Sequence, residues 1–428
     1  MQPDELGAVE ALAQMRAGRL SATRLVEACL ERIALREPQV QAWVALDADG
    51  ALARARAIDA AGDWRGLLPG IPVGVKDVIE TAGLPTAYGS PIYAGHRPKA
   101  DAACIALLLA EGGIVLGKTV TAEFATTTPG ATRNPWNPAH TPGGSSSGSA
   151  AAVADRMVPL ACGTQTSGSV LRPAAFCGVV GYKPTCGWLS RQGVKQVSES
   201  LDTLGTFGRS VADAALMAAA MARQPGLALA DPVAPSSVTI VRTEAAPEGQ
   251  PEAWAALDAV VQALSRAGVA VGTAELPAPC GELPRIHPLI EHFEAARALA
   301  HEHARHADRL GAKLRDRLDH GLAQPASEYR QAHALAQECR ASVARWFDGH
   351  EVLLTPSAPG EAPEGLATTG NAAFNRRWSL LGLPCLTLPV MRGPRGLPVG
   401  VQLVGRWHDE ARLLATAAFI ERLVGWRA

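Results

Sequence analysis

Short β-branched runs alternate with helical stretches along much of this chain, and that alternation narrows the folds open to it more than any other feature. "LLPGIPVGVKDVI" (67–79) is apolar and punctuated by Pro and Gly, as a buried strand is. "DAACIALLLAEGG" (101–113) reads as a helix, with Asp101 placed to cap it and Gly112 to stop it, and "IVLGKT" (114–119) follows as another strand. The same texture returns in "VPLACGT", "CGVVGYKP" and "SSVTIVRT", and near the end in "EVLLTPSAP", "LPCLTLPV" and "LPVGVQLVG", before a closing helix "DEARLLATAAFIERLV". Strand–helix–strand repetition of this kind predicts an α/β fold, a mixed central β-sheet flanked by helices. The late strands are able to complete a sheet begun near residue 70. The expectation is therefore one domain over 1–428: N-terminal helices about 1–60, where Ser21 is placed to cap the second; a catalytic core about 65–210; a helical layer about 252–350; and strands with a helix about 351–428.

Composition excludes several function classes. Forty basic residues against forty-one acidic give a net charge of -1, which argues against a nucleic-acid partner, since such binding rests on clustered positive charge. No segment approaches about eighteen uninterrupted apolar residues, so no membrane span is expected, and the early acidic residues of "MQPDELGAVEALAQMRAGRL" do not suit a signal peptide. A cytoplasmic location is expected. The eight cysteines are scattered without a CxxC pair and the eleven histidines without HExxH, so they are read as reduced thiols, with no metal and no cofactor. The charged helices of 252–350 read as a solvated layer or an oligomer surface and are assigned no chemistry.

Two motif matches fail on context. "GGIVLGKT" (112–119) fits the phosphate-loop pattern, but its first glycine ends a helix and its middle residues are the strand itself. "GSSSG" (144–148) fits the nucleophile elbow with Ser146 at its centre, yet the preceding "TRNPWNPAH" is a Pro/Asn-rich loop where a strand is required, and no later histidine beyond His408 offers itself as partner.

What remains is a group of small residues and one lysine. "TPGGSSSGSA" (141–150) has the composition of a linker but runs straight into the helix "SAAAVADRM", so Ser145 to Ser147 lie in a tight turn. A second cluster, "GTQTSGSVLRPAAFCG" (163–178), makes another such turn, and glycines let backbone N–H groups converge on one cavity. Only six of the forty basic residues are lysines. Lys76, in an apolar run, therefore suggests a group that must lose its proton, which arginine does not do. Holding a lysine neutral at pH 7 means a shift from about 10.4, roughly 5 kcal/mol, which burial can supply. Two serines, a lysine and an N–H-rich loop make an acyl-transfer site without histidine.

These stretches, with "GKTVTAEF", "RNPWNPAHTPGGSSSGSAAAVA" and "GTQTSGSVLRPAAFCGVVGYKPT", resemble the amidase signature family from about residue 20 to the C-terminus. The resemblance implies Ser169 as nucleophile, Ser145 as the serine of a cis peptide, and Lys76 as base. It further implies an oxyanion hole from the N–H groups of Thr166, Ser167, Gly168 and Ser169. Three positions depart from the commoner D-T-G-G-S-[IV]-R pattern: Gln165, Ser167 and Leu171, with the arginine one place later as Arg172. That arrangement resembles a subgroup including malonamidases, which implies that Arg172 grips a substrate carboxylate; the alternative is an arginine bracing carbonyls beneath the loop. Arg376, Arg377 or Trp378 of "NAAFNRRWSLLGLP" are candidates for the pocket wall, while Cys177 and Lys183 are read as structural. The implied function is hydrolysis of the C–N bond of a small-molecule amide, with a homodimer as the family-level expectation. The alternatives are the amidase (A) subunit of a glutamine-dependent tRNA amidotransferase, a carbamate- or urea-type hydrolase, and a catalytically dead scaffold.

Overall fold

The computed structural model describes residues 2–228 and 231–426. Eleven strands join one mixed sheet: β1 (Trp43–Leu46), β2 (Pro72–Lys76), β3 (Ile114–Thr119), β4 (Leu160–Gln165), β5 (Val180–Lys183), β6 (Thr203–Gly208), β7 (Ser237–Val241), β8 (Ala270–Ala274), β9 (Val352–Pro356), β10 (Cys385–Arg392) and β11 (Pro398–Val404). Their order is β1-β3-β2-β4-β6-β5-β10-β11-β9-β7-β8. β3, β2 and β4 run parallel to one another, as do β9, β7 and β8, and antiparallel pairs connect the two groups. The expected α/β class, with helices covering a mixed sheet, is what the chain adopts.

Burial on both faces explains why the central strands read as unbroken apolar runs. Leu386 and Leu388 of β10 pack with the helices Val211–Ala222, Pro251–Arg266 and Glu410–Val424, whereas Cys385, one position away, packs with the helices Leu283–Ala298 and Ala326–Trp346 on the other side. A third cluster sets β2, β3 and β4 against the helices Ala22–Val40, Ala103–Ala110 and Ser147–Ala154. Ser21 caps the first of these, its side chain accepting from the Arg24 N–H. Asp101 does not cap the second: its carboxylate accepts from the Ala82 N–H and the N-cap falls to Ala102.

Three strands escape the sequence reading. β1 interrupts the stretch assigned to helices, β6 carries two glycines in "TLGTFG", and β8 lies at the sheet edge inside the helical layer, largely exposed. Among the described residues no helix is long and apolar enough to cross a membrane.

Gly148, in the first turn of the helix Ser147–Ala154, donates to the Val120 carbonyl at 3.0 Å, and a Cβ there would collide with the Ala42 carbonyl oxygen and the Val120 nitrogen. Gly148→Ala should lower unfolding free energy by at least about 1–3 kcal/mol. Gly226→Ala, where a Cβ meets nothing within 4 Å, should stay within about 0.5 kcal/mol; urea denaturation of the two variants checks the contrast.

Candidate active site

Because β2 and β4 are parallel neighbours, their carboxyl ends open on the same edge of the sheet, where open α/β sheets hold their ligands. Lys76 is the last residue of β2 and Gln165 the last of β4. Lys76 is fully buried, and its Nζ donates to Ser145 Oγ at 2.8 Å, to Thr164 Oγ1 at 2.7 Å and to the Thr164 carbonyl at 3.4 Å. Burial lowers the amine from its ordinary value to about 7, against the opposing charge of Asp202 and a smaller effect of Cys162. At neutral pH a large share of Lys76 is thus the free base.

Ser145 follows Gly144 through a cis peptide and sits one residue before Ser146, the N-cap of the helix Ser147–Ala154. The Ser146 N–H donates to the Ser169 carbonyl at 3.4 Å, which sets the two Gly/Ser turns side by side. Ser169 is 8% exposed, and among the described residues its hydroxyl has no hydrogen-bond partner. It faces a cavity of about 220 Å³. Lys76 and Ser145 are joined directly; Ser169 lies alongside with a free hydroxyl.

The departures at Gln165 and Ser167 find their physical explanation in this turn. Gln165 Oε1 accepts from the N–H groups of Val170 (2.9 Å) and Leu171 (3.0 Å), as a carboxylate can. Its Nε2, which a carboxylate lacks, donates to Ser379 Oγ at 2.9 Å, and that hydroxyl donates onward to the Ser167 carbonyl at 2.7 Å. Ser167 does not have positive φ, so no glycine is needed there, and its hydroxyl donates to Glu291 Oε2 at 3.4 Å. Gly168 is different: a Cβ would lie 2.6 Å from Asn375 Oδ1. Among the described residues the N–H groups of Ser167, Gly168 and Ser169 meet no acceptor in the chain. Thr166 is fixed from behind by its hydroxyl, which donates to Asp202 Oδ1 at 2.5 Å.

Arg172 is buried beneath the serine turn. Its NH2 donates to the Gly144 carbonyl at 2.5 Å and to Thr369 Oγ1 at 3.1 Å, while Nε has no partner. It also lines the cavity, as does the exposed Arg376. Arg377 is buried and paired with Glu244, and Trp378 is buried in the core. Lys183 holds the carbonyls of Pro184 and Leu383, and Cys177 Sγ approaches the Pro142 carbonyl. Lys118 of the rejected phosphate-loop pattern is enclosed within β3, bonded to Ile79, Thr81 and Thr86. Ser146 bonds the Thr164 backbone, and His408 is exposed beside Trp188.

One assignment is corrected. The helical layer that was given no chemistry contributes His287, Glu291 and His292, from the helix Leu283–Ala298, and Arg317 to the cavity wall. His287 and Glu291 stand four positions apart on a buried face, a polar pair within an apolar stripe that was a legible signal. Asp202 and Thr164 were missed because nothing in their spacing distinguishes them.

A family model described as Amidase matches residues 24–414. The amidase (A) subunit of the glutamyl-tRNA(Gln) amidotransferase from Anaeromyxobacter sp. (strain K) is 36% identical over 474 aligned positions, covering 98% of this chain and 96% of its own. A solved amidase shares the fold with a TM-score of 0.89 at 29% identity, over 98% of this chain and 100% of its own. The peptide amidase of Stenotrophomonas maltophilia does so with a TM-score of 0.83 at 31% identity, over 99% and 98%. The malonamidase-like subgroup finds no support among these relatives. They also overturn the exclusion of nucleic acid: several are subunits of tRNA amidotransferases. Whole-chain charge bears on a chain's own phosphate contacts and not on work done beside tRNA in an assembly.

The depressed Lys76 value carries a stability consequence. Between pH 7 and about 10 the unfolded chain holds a proton at this site that the folded chain has lost, so unfolding free energy rises with pH by up to about 1.4 kcal/mol per unit. Lys76→Met should remove that increment, leaving the smaller rise due to Lys118, which burial lowers to about 8; urea titrations at pH 7.5 and 9.5 measure it.

Proposed function

From the premise that this chain belongs to the amidase signature family, we propose that it cleaves the C–N bond of a carboxamide through an acyl-enzyme on Ser169. The observation that carries this reading is the buried Lys76 amine bonded to Ser145, beside a Ser169 hydroxyl that faces the cavity. Neutral Lys76 takes the Ser145 proton as Ser145 takes that of Ser169, and Ser169 Oγ attacks the amide carbon. The oxyanion is met by the N–H groups of Thr166, Ser167, Gly168 and Ser169, each such donor being worth about 10²–10³ in rate. The proton returns through Ser145 to the leaving nitrogen as the C–N bond breaks. Water, deprotonated by the same relay, then attacks the acyl ester and frees the acid and Ser169.

The curated relatives favour one setting for this step: the amidase (A) subunit of a glutamine-dependent tRNA amidotransferase, with glutamine as the amide and ammonia passed on within an assembly. A freestanding hydrolase of small amides is the second reading. It is favoured by the hydrolases and amidases among the solved structures. It is favoured too by the length of the alignments, which at 474 positions exceed the 428 residues here, so the amidotransferase relatives carry segments this chain lacks. Ammonia release from glutamine and from simple amides by the purified chain separates the two, the first predicting glutamine alone and the second a broad set.

In either setting Ser169→Ala should reduce ammonia release by at least about 10³-fold. kcat/KM should rise with pH through about 7 as Lys76 loses its proton. Asp202→Asn removes the charge that holds that value up, so the midpoint should move to lower pH; a pH–rate profile reads both.

A further inference from the structure

The cavity beside Ser169 carries more positive charge than its own residues neutralise. Three guanidiniums line it, those of Arg172, Arg317 and Arg376, against a single carboxylate, Glu291. Arg317 is paired with Glu291, which also accepts from Ser167. His287, 3.6 Å from the same carboxylate, is pushed toward its neutral form chiefly by burial. Arg172 spends its NH2 on Gly144 and Thr369 and keeps only Nε unpartnered. Arg376 differs from the others. It stands at the open side of the cavity, and among the described residues its side chain has neither an ion pair nor a hydrogen bond. Its field also reaches Arg172, whose guanidinium is lowered to about 9, first by burial and then by Arg376. Two like charges left without counterions around a small cavity are unfavourable until an anion enters.

We propose that Arg376 is the specificity-determining anchor for a carboxylate on the acyl portion of the substrate. This rests on amide cleavage at Ser169 and names the substrate class: amides whose acyl chain ends in, or carries, a carboxylate a few carbons from the scissile carbonyl. Guanidinium and carboxylate meet through paired, charge-assisted hydrogen bonds. The charge count also favours the reaction itself. The bound amide brings one negative charge and the forming oxyanion a second, so the excess of two is matched in the transition state. Arg172, tied to the Gly144 carbonyl, braces the turn that bears Ser145 and is not needed as the anchor.

Succinamate and its neutral counterpart butyramide, in which a methyl group stands for the carboxylate, test the assignment in the full chain. Arg376→Gln should lower the ratio of kcat/KM for succinamate over butyramide at least tenfold, mainly through KM, and Arg376→Lys should restore part of it. Succinate binding to the Ser169→Ala protein, followed by calorimetry, needs no turnover and so stands apart from the catalytic reading. There Arg376→Gln should raise Kd at least tenfold. An unchanged ratio in the kinetic experiment, or succinate that binds the Ser169→Ala protein equally well with or without Arg376, would overturn the proposal.

Discussion

An amine removed from water organises the reactive end of this molecule. Lys76 has no solvent contact, and its hydrogen bonds go to two hydroxyls and one carbonyl with no carboxylate among them. A charged ammonium is poorly supported in such a place, and the amine is correspondingly basic in form at neutral pH. The arrangement depends on the parallel pairing of β2 and β4. That pairing brings the last residue of one strand beside the threonine near the end of the other without a loop having to hold either. Asp202 works against this desolvation from behind the second turn, close enough to raise the amine and far enough to make no ion pair with it.

Main-chain geometry around the serines is held by side chains from distant parts of the chain. Gln165 secures two N–H groups at the start of the helix Leu171–Cys177 and reaches Ser379, which secures Ser167. Arg172 reaches back to Gly144. Each brace leaves the N–H groups of the turn free. A cavity wall of unspent donors is costly to keep dry and open, and a network of this density, drawn from β4, the helix Leu171–Cys177 and the helix Arg376–Leu381, is what maintains it.

Much of this was legible in the chain, for physical reasons that differ by element. The central strands announced themselves because burial on both faces demands continuous apolar runs, and Lys76 stood out because arginine had taken nearly every other basic position. β6 and β8 were hidden by the opposite circumstances, glycine-rich in one case and exposed at an edge in the other. The serine turns were found through their small residues. The wall facing them was not, since Glu291 and Arg317 neutralise each other in space while looking like ordinary surface charges along a helix. Asp101 failed as a cap because a tertiary partner, the Ala82 N–H, claimed its carboxylate first. Whole-chain charge misled for a related reason: it averages over surfaces that act separately.

The cavity is assembled from two sources with little in common. Its floor, with Ser169, Arg172 and the N–H groups, grows out of the sheet and the helix packed directly on it, whereas His287, Glu291 and Arg317 come from a helical layer lying elsewhere in the sequence. The contacts from that layer to the reactive turn are few: a 3.4 Å bond from Ser167 to Glu291 and another between His287 and the Thr166 carbonyl. Changes in the layer can therefore alter which acyl groups enter while the bond-breaking apparatus stays intact. In evolutionary terms the fold separates selectivity from reactivity, so new substrates can be acquired by drift in one layer at little risk to the other.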